Sequence, residues 1–442
     1  MGEISVITVV VDHIPQRLPK LSDEVIPVQI YGLHGRQQGN IATIGSPLID
    51  PIKRLGIYIS PTELDFMTLA LAVTAADTFV LRKMADDGWT RNIRLKVPLY
   101  QPTVWLNQIQ NLEKALHFLS GDLWSLEITE GGYSPPDPYS RHHRYRLTHL
   151  RGRDCVSLFS GGLDSAIGVI DFIEKDKSPL LISHAYKGDK SRQNYIAKKF
   201  LGKFSRFSVN ANPLSVNGKT DITMRTRSLN FLAFGAVGAF VVAKVNQLEN
   251  IPLYVPENGF ISINAPLTSR RVGSLSTRTT HPYFLSLIQS IFDAVQIKTT
   301  IINPYQFKTK GEMLSECNNQ HVLHEIVSST VSCSKWKRKG QQCGKCVPCL
   351  IRRAAFMSSG ITDLTLYEYP NLSIVKHDLK NRDDLFALMI AIQRLSTKNV
   401  NAWLSDSGPL TLDSVEFDKY KQVFLRGIKE VEEFLQKEGI LS

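Results

Sequence analysis

Residues 155–165 read Cys-Val-Ser-Leu-Phe-Ser-Gly-Gly-Leu-Asp-Ser. Val156, Leu158 and Phe159 form an apolar run of strand length. Ser160, Gly161 and Gly162 form a turn, and Leu163, Ile167, Ile170 and Ile173 then recur at helical spacing. This pattern predicts a buried strand, a tight turn and a helix. Adjacent glycines let backbone N–H groups approach an anion without Cβ obstruction. The helix N-terminus adds unpaired N–H groups and the positive end of a dipole. Ser160 and Ser165 can donate hydroxyl hydrogen bonds to phosphate oxygens. Asp164 is the odd member, because a carboxylate beside phosphates is repelled unless a cation lies between them, which points to Mg²⁺. The stretch lacks the Gly-Lys-Ser/Thr ending of a Walker A loop.

Outward from this stretch, strands alternate with helices. Strands are predicted over 156–160, 180–186, 204–209, 252–256 and 299–303, with helices over 163–174, 192–201, 228–246 and 282–295. Such alternation gives an α/β fold, a doubly wound parallel sheet with helices on both faces. Ligands of these sheets bind at the carboxyl ends of the strands. Residues 160–165, 184–189, 210–212 and 257–264 therefore surround one crevice.

Several residues around that crevice are candidates. His184 and Tyr186 end the second strand, where a nucleotide base would lie; His184 reads equally well as a hydrogen-bonded core histidine. Arg225, Arg227 and Asn230 precede an apolar helix and suit phosphate neutralisation or a solvated helix start. Glu257, Asn258 and Asn264 form a polar cluster directly after a strand. The run 276–282, Ser-Thr-Arg-Thr-Thr-His-Pro, offers Thr277, Arg278, Thr279, Thr280 and His281 to a carboxylate or phosphate ligand. Its plain alternative is a capped helix entry with Pro282 at the first position. Arg270 and Arg271 extend the same basic lining, and Lys310 opens a helix from which it could reach phosphates.

Four of the six cysteines fall between Cys333 and Cys349, spaced C-x9-C-x2-C-x2-C. Cys333, Cys343, Cys346 and Cys349 suit a closed tetrahedral Zn²⁺ site, with an iron–sulfur cluster as the alternative. The Lys- and Arg-rich loop at 335–339 offers a surface for RNA or protein, or a solvated charge run. Residues 1–150 read as an accessory α/β domain, with strands over 4–11, 25–31, 57–60, 93–99 and 124–128 and a linker over 131–150. The catalytic domain with its cysteine motif spans 151–360. Residues 361–442 read as a helical region, clearest over 382–395 and 414–435.

The 442 residues carry a formal net charge of +11, with 43% hydrophobic and 21% charged residues, the composition of a globular chain. The charge is compatible with nucleic acid, an acidic protein or nucleotides, and its scatter does not favour nucleic acid. Clustered cysteines in place of a disulfide framework, no basic secretory n-region, and an apolar stretch at 231–243 too short to span a bilayer give the expectation of a cytoplasmic, membrane-free protein.

The Ser-Gly-Gly-x-Asp-Ser run at 160–165 resembles the PP-loop of ATP pyrophosphatases. Together with C-x9-C-x2-C-x2-C-x2-Arg ending at Arg352, it resembles the QueC family, 7-cyano-7-deazaguanine synthases, over about residues 153–360. The resemblance implies ATP and Mg²⁺, adenylation of a 7-carboxy-7-deazaguanine-type carboxylate, and C–N ligation. It implies that Ser160, Gly161, Gly162, Asp164 and Ser165 hold the pyrophosphate; Leu163 is counted with these cofactor-binding residues, and Lys310 and Arg227, from their places by the crevice, with the catalytic ones. It places substrate recognition at 276–282 and structural Zn²⁺ on the four cysteines. The usual Asp-Tyr-Gly-Gln run is replaced here by His184 to Asp189, and the usual Asp-Cys-Arg-Pro-Glu segment by Thr277 to Pro282. The extra N-terminal domain and helical tail resemble QueC-like proteins of bacterial antiphage islands, which implies a partner protein as amine acceptor. A tRNA-modifying PP-loop enzyme and a non-catalytic scaffold are the competing readings.

Overall fold

The computed structural model describes the chain except residues 1–5, 33–38, 141–145, 185–188, 201, 217, 222–224, 269–277, 334 and 337–339. Two five-stranded sheets, parallel throughout, carry the architecture. The first holds β1 Val6–Asp12, β2 Val25–Ile30, β3 Ala42–Ile44, β4 Asn92–Pro98 and β5 Leu123–Thr129, ordered β3-β2-β1-β4-β5. The second holds β6 Cys155–Leu158, β7 Pro179–His184, β8 Ser205–Val209, β9 Ile251–Tyr254 and β10 Thr299–Ile302, ordered β10-β9-β6-β7-β8. Both sheets have the same topology: the third, second, first, fourth and fifth strands in chain order lie side by side. In each, the winding reverses between first and fourth strands, where open α/β sheets bind ligands.

The strands of the second sheet fall where the apolar runs place them. β7, Pro-Leu-Leu-Ile-Ser-His, is buried at every residue, as a central parallel strand covered on both faces must be. In the first sheet one expectation is overturned. Residues 57–60 are not a strand; Ser60 caps the helix that follows, its hydroxyl accepting from Thr62 N–H with Pro61 at the first helical position. The third strand is instead Ala42–Ile44, too short to display any alternation.

The helices α1 Ile49–Lys53, α2 Pro61–Phe79, α3 Pro102–Leu106 and α4 Ile109–Ser120 belong to the first half. In the second, α5 Leu163–Glu174, α6 Asp189–Lys198, α7 Arg227–Asn246, α8 Gly259–Ile263 and α9 Pro282–Ala294 connect the strands. α7 is long and apolar enough to cross a bilayer by length and composition, yet it packs against α2 and the strands β6, β7 and β9. One continuous core runs from Val9 and Leu95 in the first sheet, through Leu69 and Phe234 of α2 and α7, to Ile182 and Leu253 in the second. Every CH₂ withdrawn there from water is worth about 0.8 kcal/mol.

The described residues of the segment 131–150 run back over the first half. Gly132 N–H donates to Leu99 O, Tyr139 N–H to Lys53 O and Thr148 N–H to Arg54 O. Tyr133 packs on Tyr31 and edge-on to His13 at the carboxyl end of the first sheet. Beyond β10 come α10 Lys310–Ser315, α11 Gln320–Ile326 and α12 Val347–Ser359. α13 Leu372–His377, α14 Asp383–Arg394, α15 Val400–Ser405 and α16 Ser414–Lys437 complete the chain. These last helices form a second core around Trp403, Leu388, Phe424 and Val431.

Candidate active site

A cleft of about 230 Å³ opens at the β6/β9 reversal, lined by Ser160, Ser165, Arg227, Glu257, Thr279 and Thr280 among others. Six residues singled out in the sequence thus meet in one cavity. Gly161 has φ +83°, a left-handed conformation that a side chain disfavours, and it turns the chain from β6 into α5. Ser160 is exposed. Its hydroxyl accepts from Gly162 N–H at 3.2 Å and lies 3.2 Å from Ser165 Oγ, which donates to Gly162 O at 3.0 Å. The turn is therefore held in shape by its own hydroxyls. Leu163, expected among the nucleotide-binding residues, sends its side chain into the core beside Phe159 and Ile167, so only its backbone can serve.

The sequence does not single out Gln193 on α6. It is fully buried, and its amide donates to Ser160 O at 3.1 Å, pinning the loop from the side. Nothing in local sequence signals this, because the partner lies 33 residues away.

Asp164 is 5% exposed. One carboxylate oxygen pairs with Lys310 Nζ; the other accepts from Asn258 N–H at 3.0 Å and Asn258 Nδ2 at 2.7 Å. Burial opposes its charge, but Lys310 beside it and hydrogen bonds from Glu257 and Asn258 hold its carboxyl well below the usual carboxylate range. Glu257 moves the opposite way. Burial first, and then the charge of Asp164, push it well above the ordinary range. Of the two carboxyls, Glu257 is thus the one that holds a proton more readily. Lys310 thus supplies the positive charge beside Asp164. Oδ2 of Asp164 accepts twice from Asn258, so a Mg²⁺ at this residue would share Oδ1 with Lys310.

Other candidates have structural roles. His184 is fully buried; its Nε2 accepts from Ala211 N–H at 3.2 Å and its ring meets Phe231 and Phe234 edge-on. Its ring faces the core, and its carbonyl accepts from Arg227 Nη2 at 3.0 Å. Asn258 caps α8 by accepting from Ile261 N–H, and Asn264 ends α8 in the left-handed region with φ 51°. His281 is the N-cap of α9, accepting from Tyr283 N–H, with Nε2 3.2 Å from Ser407 Oγ. Burial, with Arg278 nearby, pushes its pKa down to about 3, which fits a neutral cap. Arg278 stacks on Phe118 at 4.5 Å and donates to Phe118 O. Thus the 276–282 run divides: Thr279 and Thr280 face the cleft, while Arg278 and His281 are tied to other parts of the structure. Tyr186, Thr277, Arg270 and Arg271 lie outside the described residues.

The four cysteines converge as expected. Their sulfurs all lie within 4.8 Å of one another, and all four residues are buried. Cys343 and Cys349 sulfurs are 4.0 Å apart, Cys333 and Cys346 sulfurs 3.9 Å. A tetrahedral Zn²⁺ with Zn–S of about 2.3 Å needs sulfurs about 3.8 Å apart, so the residues fit that ion. Backbone N–H groups of Lys335 and Cys343 point at Cys333 Sγ, and that of Cys346 at Cys343 Sγ, which suits thiolates. Gly344 has φ 78°, and a Cβ there would meet Tyr369 O at 2.7 Å. Arg352, fully buried, donates to Thr330 Oγ1 and Val327 O. The strand of chain leading to Cys333 touches the loop itself, Val331 N–H donating to Gly161 O at 3.3 Å.

With this geometry in place, the family match falls on the half of the molecule that carries the cleft. A family model described as Queuosine biosynthesis protein QueC matches residues 280–360, which span α9, β10, Lys310 and the cysteines. The chain is 50% identical over 42 residues to the 7-cyano-7-deazaguanine synthase of Cupriavidus metallidurans, covering 10% of this chain and 18% of the relative. It is 38% identical over 65 residues to the enzyme of the same description from Xylella fastidiosa, covering 14% of this chain and 26% of the relative. The matches therefore span about a quarter or less of these relatives, and the region 280–360 carries a QueC-like segment.

Proposed function

We propose that the cleft activates a carboxylate of the 7-carboxy-7-deazaguanine type with ATP and joins it to an amine. The observation that carries this reading is the meeting, in one cavity, of the 160–165 loop, Arg227, Glu257, Thr279 and Thr280. The QueC-like segment, whose cysteines abut that loop through Val331, supports the deazaguanine class, as do the printed names of the two relatives.

A free carboxylate is a poor acyl donor. Attack of its oxygen on the α-phosphorus of ATP expels pyrophosphate and leaves an acyl adenylate. An amine then attacks the acyl carbon, AMP departs and the nitrogen loses a proton. The protein's task is to hold the reactants and to oppose charge on phosphorus and on the tetrahedral carbon. In this reading the N–H groups at Gly161 and Gly162, the hydroxyls of Ser160 and Ser165 and the start of α5 face the pyrophosphate, with Arg227 opposite. Glu257, Thr279 and Thr280 face the acyl substrate. No protein nucleophile is needed.

The chain's length and added regions resemble QatC of the Qat antiphage system, so the proposal extends to defence and to a partner protein as amine acceptor; Mg²⁺ belongs to the proposal as the companion of ATP. The test is mass spectrometry of reactions with ATP, 7-carboxy-7-deazaguanine and either ammonia or a co-expressed neighbouring subunit. An amide on the small molecule or on the subunit supports ligation. Unchanged substrate with both acceptors overturns it.

A further inference from the structure

The first half of the chain bonds to the start of α7 beside the cleft. Asp77, at the end of α2, is 1% exposed. Its Oδ2 accepts from both Thr226 N–H at 3.1 Å and Thr226 Oγ1 at 3.0 Å. Thr226 is the N-cap of α7, and the next residue is Arg227, which lines the cleft. One turn further, Asn230 Nδ2 donates to Thr74 Oγ1 at 2.7 Å. The first turn of α7 is therefore gripped twice by α2.

Asp77 itself is fixed. Its Oδ1 accepts from Arg91 Nη2 at 2.6 Å, and Arg91 also pairs with Asp122 at 2.6 Å. A carboxylate aimed at the first N–H groups of a helix satisfies donors that have no partner within the helix, and it complements the helix dipole. A hydrophobic contact would hold α7 against α2 without fixing its rotation. Directional bonds at the cap and one turn on fix both rotation and axial position. These in turn fix the departure point of the Arg227 side chain.

We infer that Asp77 and Thr226 are positioning residues of the nucleotide site: the first α/β layer sets the aim of Arg227 through the cap of α7. The inference rests on the reading of the cleft as an ATP site. Arg227 meets the phosphates only when the cap is engaged, so the first layer is an integral part of that site.

The experiment uses the full chain and measures ATP affinity by titration calorimetry, KM and kcat for AMP release, and thermal unfolding. Thr226→Val removes the hydroxyl at nearly constant volume; Thr226→Ser restores it. Thr68→Val removes a buried α2 hydroxyl that bonds Tyr31 and Leu64 O, outside the Asp77 network, and so reports a purely structural loss. Thr226→Val is expected to weaken ATP binding and raise KM about tenfold, with Thr226→Ser near wild type and Thr68→Val changing only the unfolding temperature. Wild-type ATP affinity in Thr226→Val, or an equal KM change in Thr68→Val, overturns the inference. Failure of the wild-type protein to bind ATP overturns the reading of the cleft, and the inference with it.

Discussion

Lys310 Nζ forms an ion pair with Asp164 Oδ1 although 146 residues separate them, and each side chain is only 6% exposed. The pair joins the start of α10 to the start of α5 beneath the loop. Removing one partner of a buried pair costs about 3–5 kcal/mol, because the other charge is stranded. Lys310→Met is expected to lose that much stability in urea unfolding. The double variant Lys310→Met with Asp164→Asn recovers a large part of it. A double variant as unstable as the sum of the singles would contradict the coupling.

Glu257 is the second carboxyl of this cluster, and burial beside Asp164 raises its pKa, which favours the protonated, donating form. Glu257→Gln keeps a donor and is expected to retain AMP formation within a few-fold, whereas Glu257→Ala loses about a hundredfold. Steady-state rates check this. A Gln variant as poor as the Ala variant would show that Glu257 works as a carboxylate.

Glu430 of α16 accepts from Thr309 Oγ1 and Gly311 N–H at the start of α10, one residue either side of Lys310. Burial pushes its pKa up to about 7, with Glu312 adding to the rise and Thr309, Gly311 and Arg426 opposing it. A raised folded-state pKa stabilises the neutral form. The contribution is complete below the ordinary value of 4.5 and is lost as pH rises to about 7. Urea midpoints should decline over that window and flatten in Glu430→Gln. An identical slope in the variant would assign the titration elsewhere.

The cysteine cluster should carry about one zinc per chain by elemental analysis, and iron in its place would contradict the assignment. Cys346→Ser should lose the metal, lower the unfolding temperature and reduce AMP formation, since Val331 links the cluster to Gly161. Retained activity in a zinc-free protein would show that the contact does not matter.

The sheet and the loop were legible because their signals are local. Five apolar runs, a glycine turn and the spacing of Leu163, Ile167, Ile170 and Ile173 each lie within a dozen residues. The cysteines were legible because four soft ligands at that spacing have few other uses. What was hidden depends on distant partners. For His184 the sequence leaves a base contact and a core histidine equally open, and for His281 a ligand contact and a helix cap; Phe231, Phe234 and Ser407, which meet them, come from elsewhere in the chain. Gln193, Asp77 and Glu430 gave no signal, because each acts on a residue at least 33 positions away. The three-residue β3 was masked by its brevity, and Ile57 to Ser60 imitated a strand up to the point where Pro61 starts a helix.

The most direct test of the cleft's chemistry is the nucleotide product formed with 7-carboxy-7-deazaguanine, separated by chromatography for the wild-type chain and Asp164→Asn. Adenylation predicts AMP and pyrophosphate in equal amounts, dependent on the carboxylate, and reduced at least about a hundredfold in the variant. ADP and phosphate, or AMP formation indifferent to the carboxylate, would contradict it.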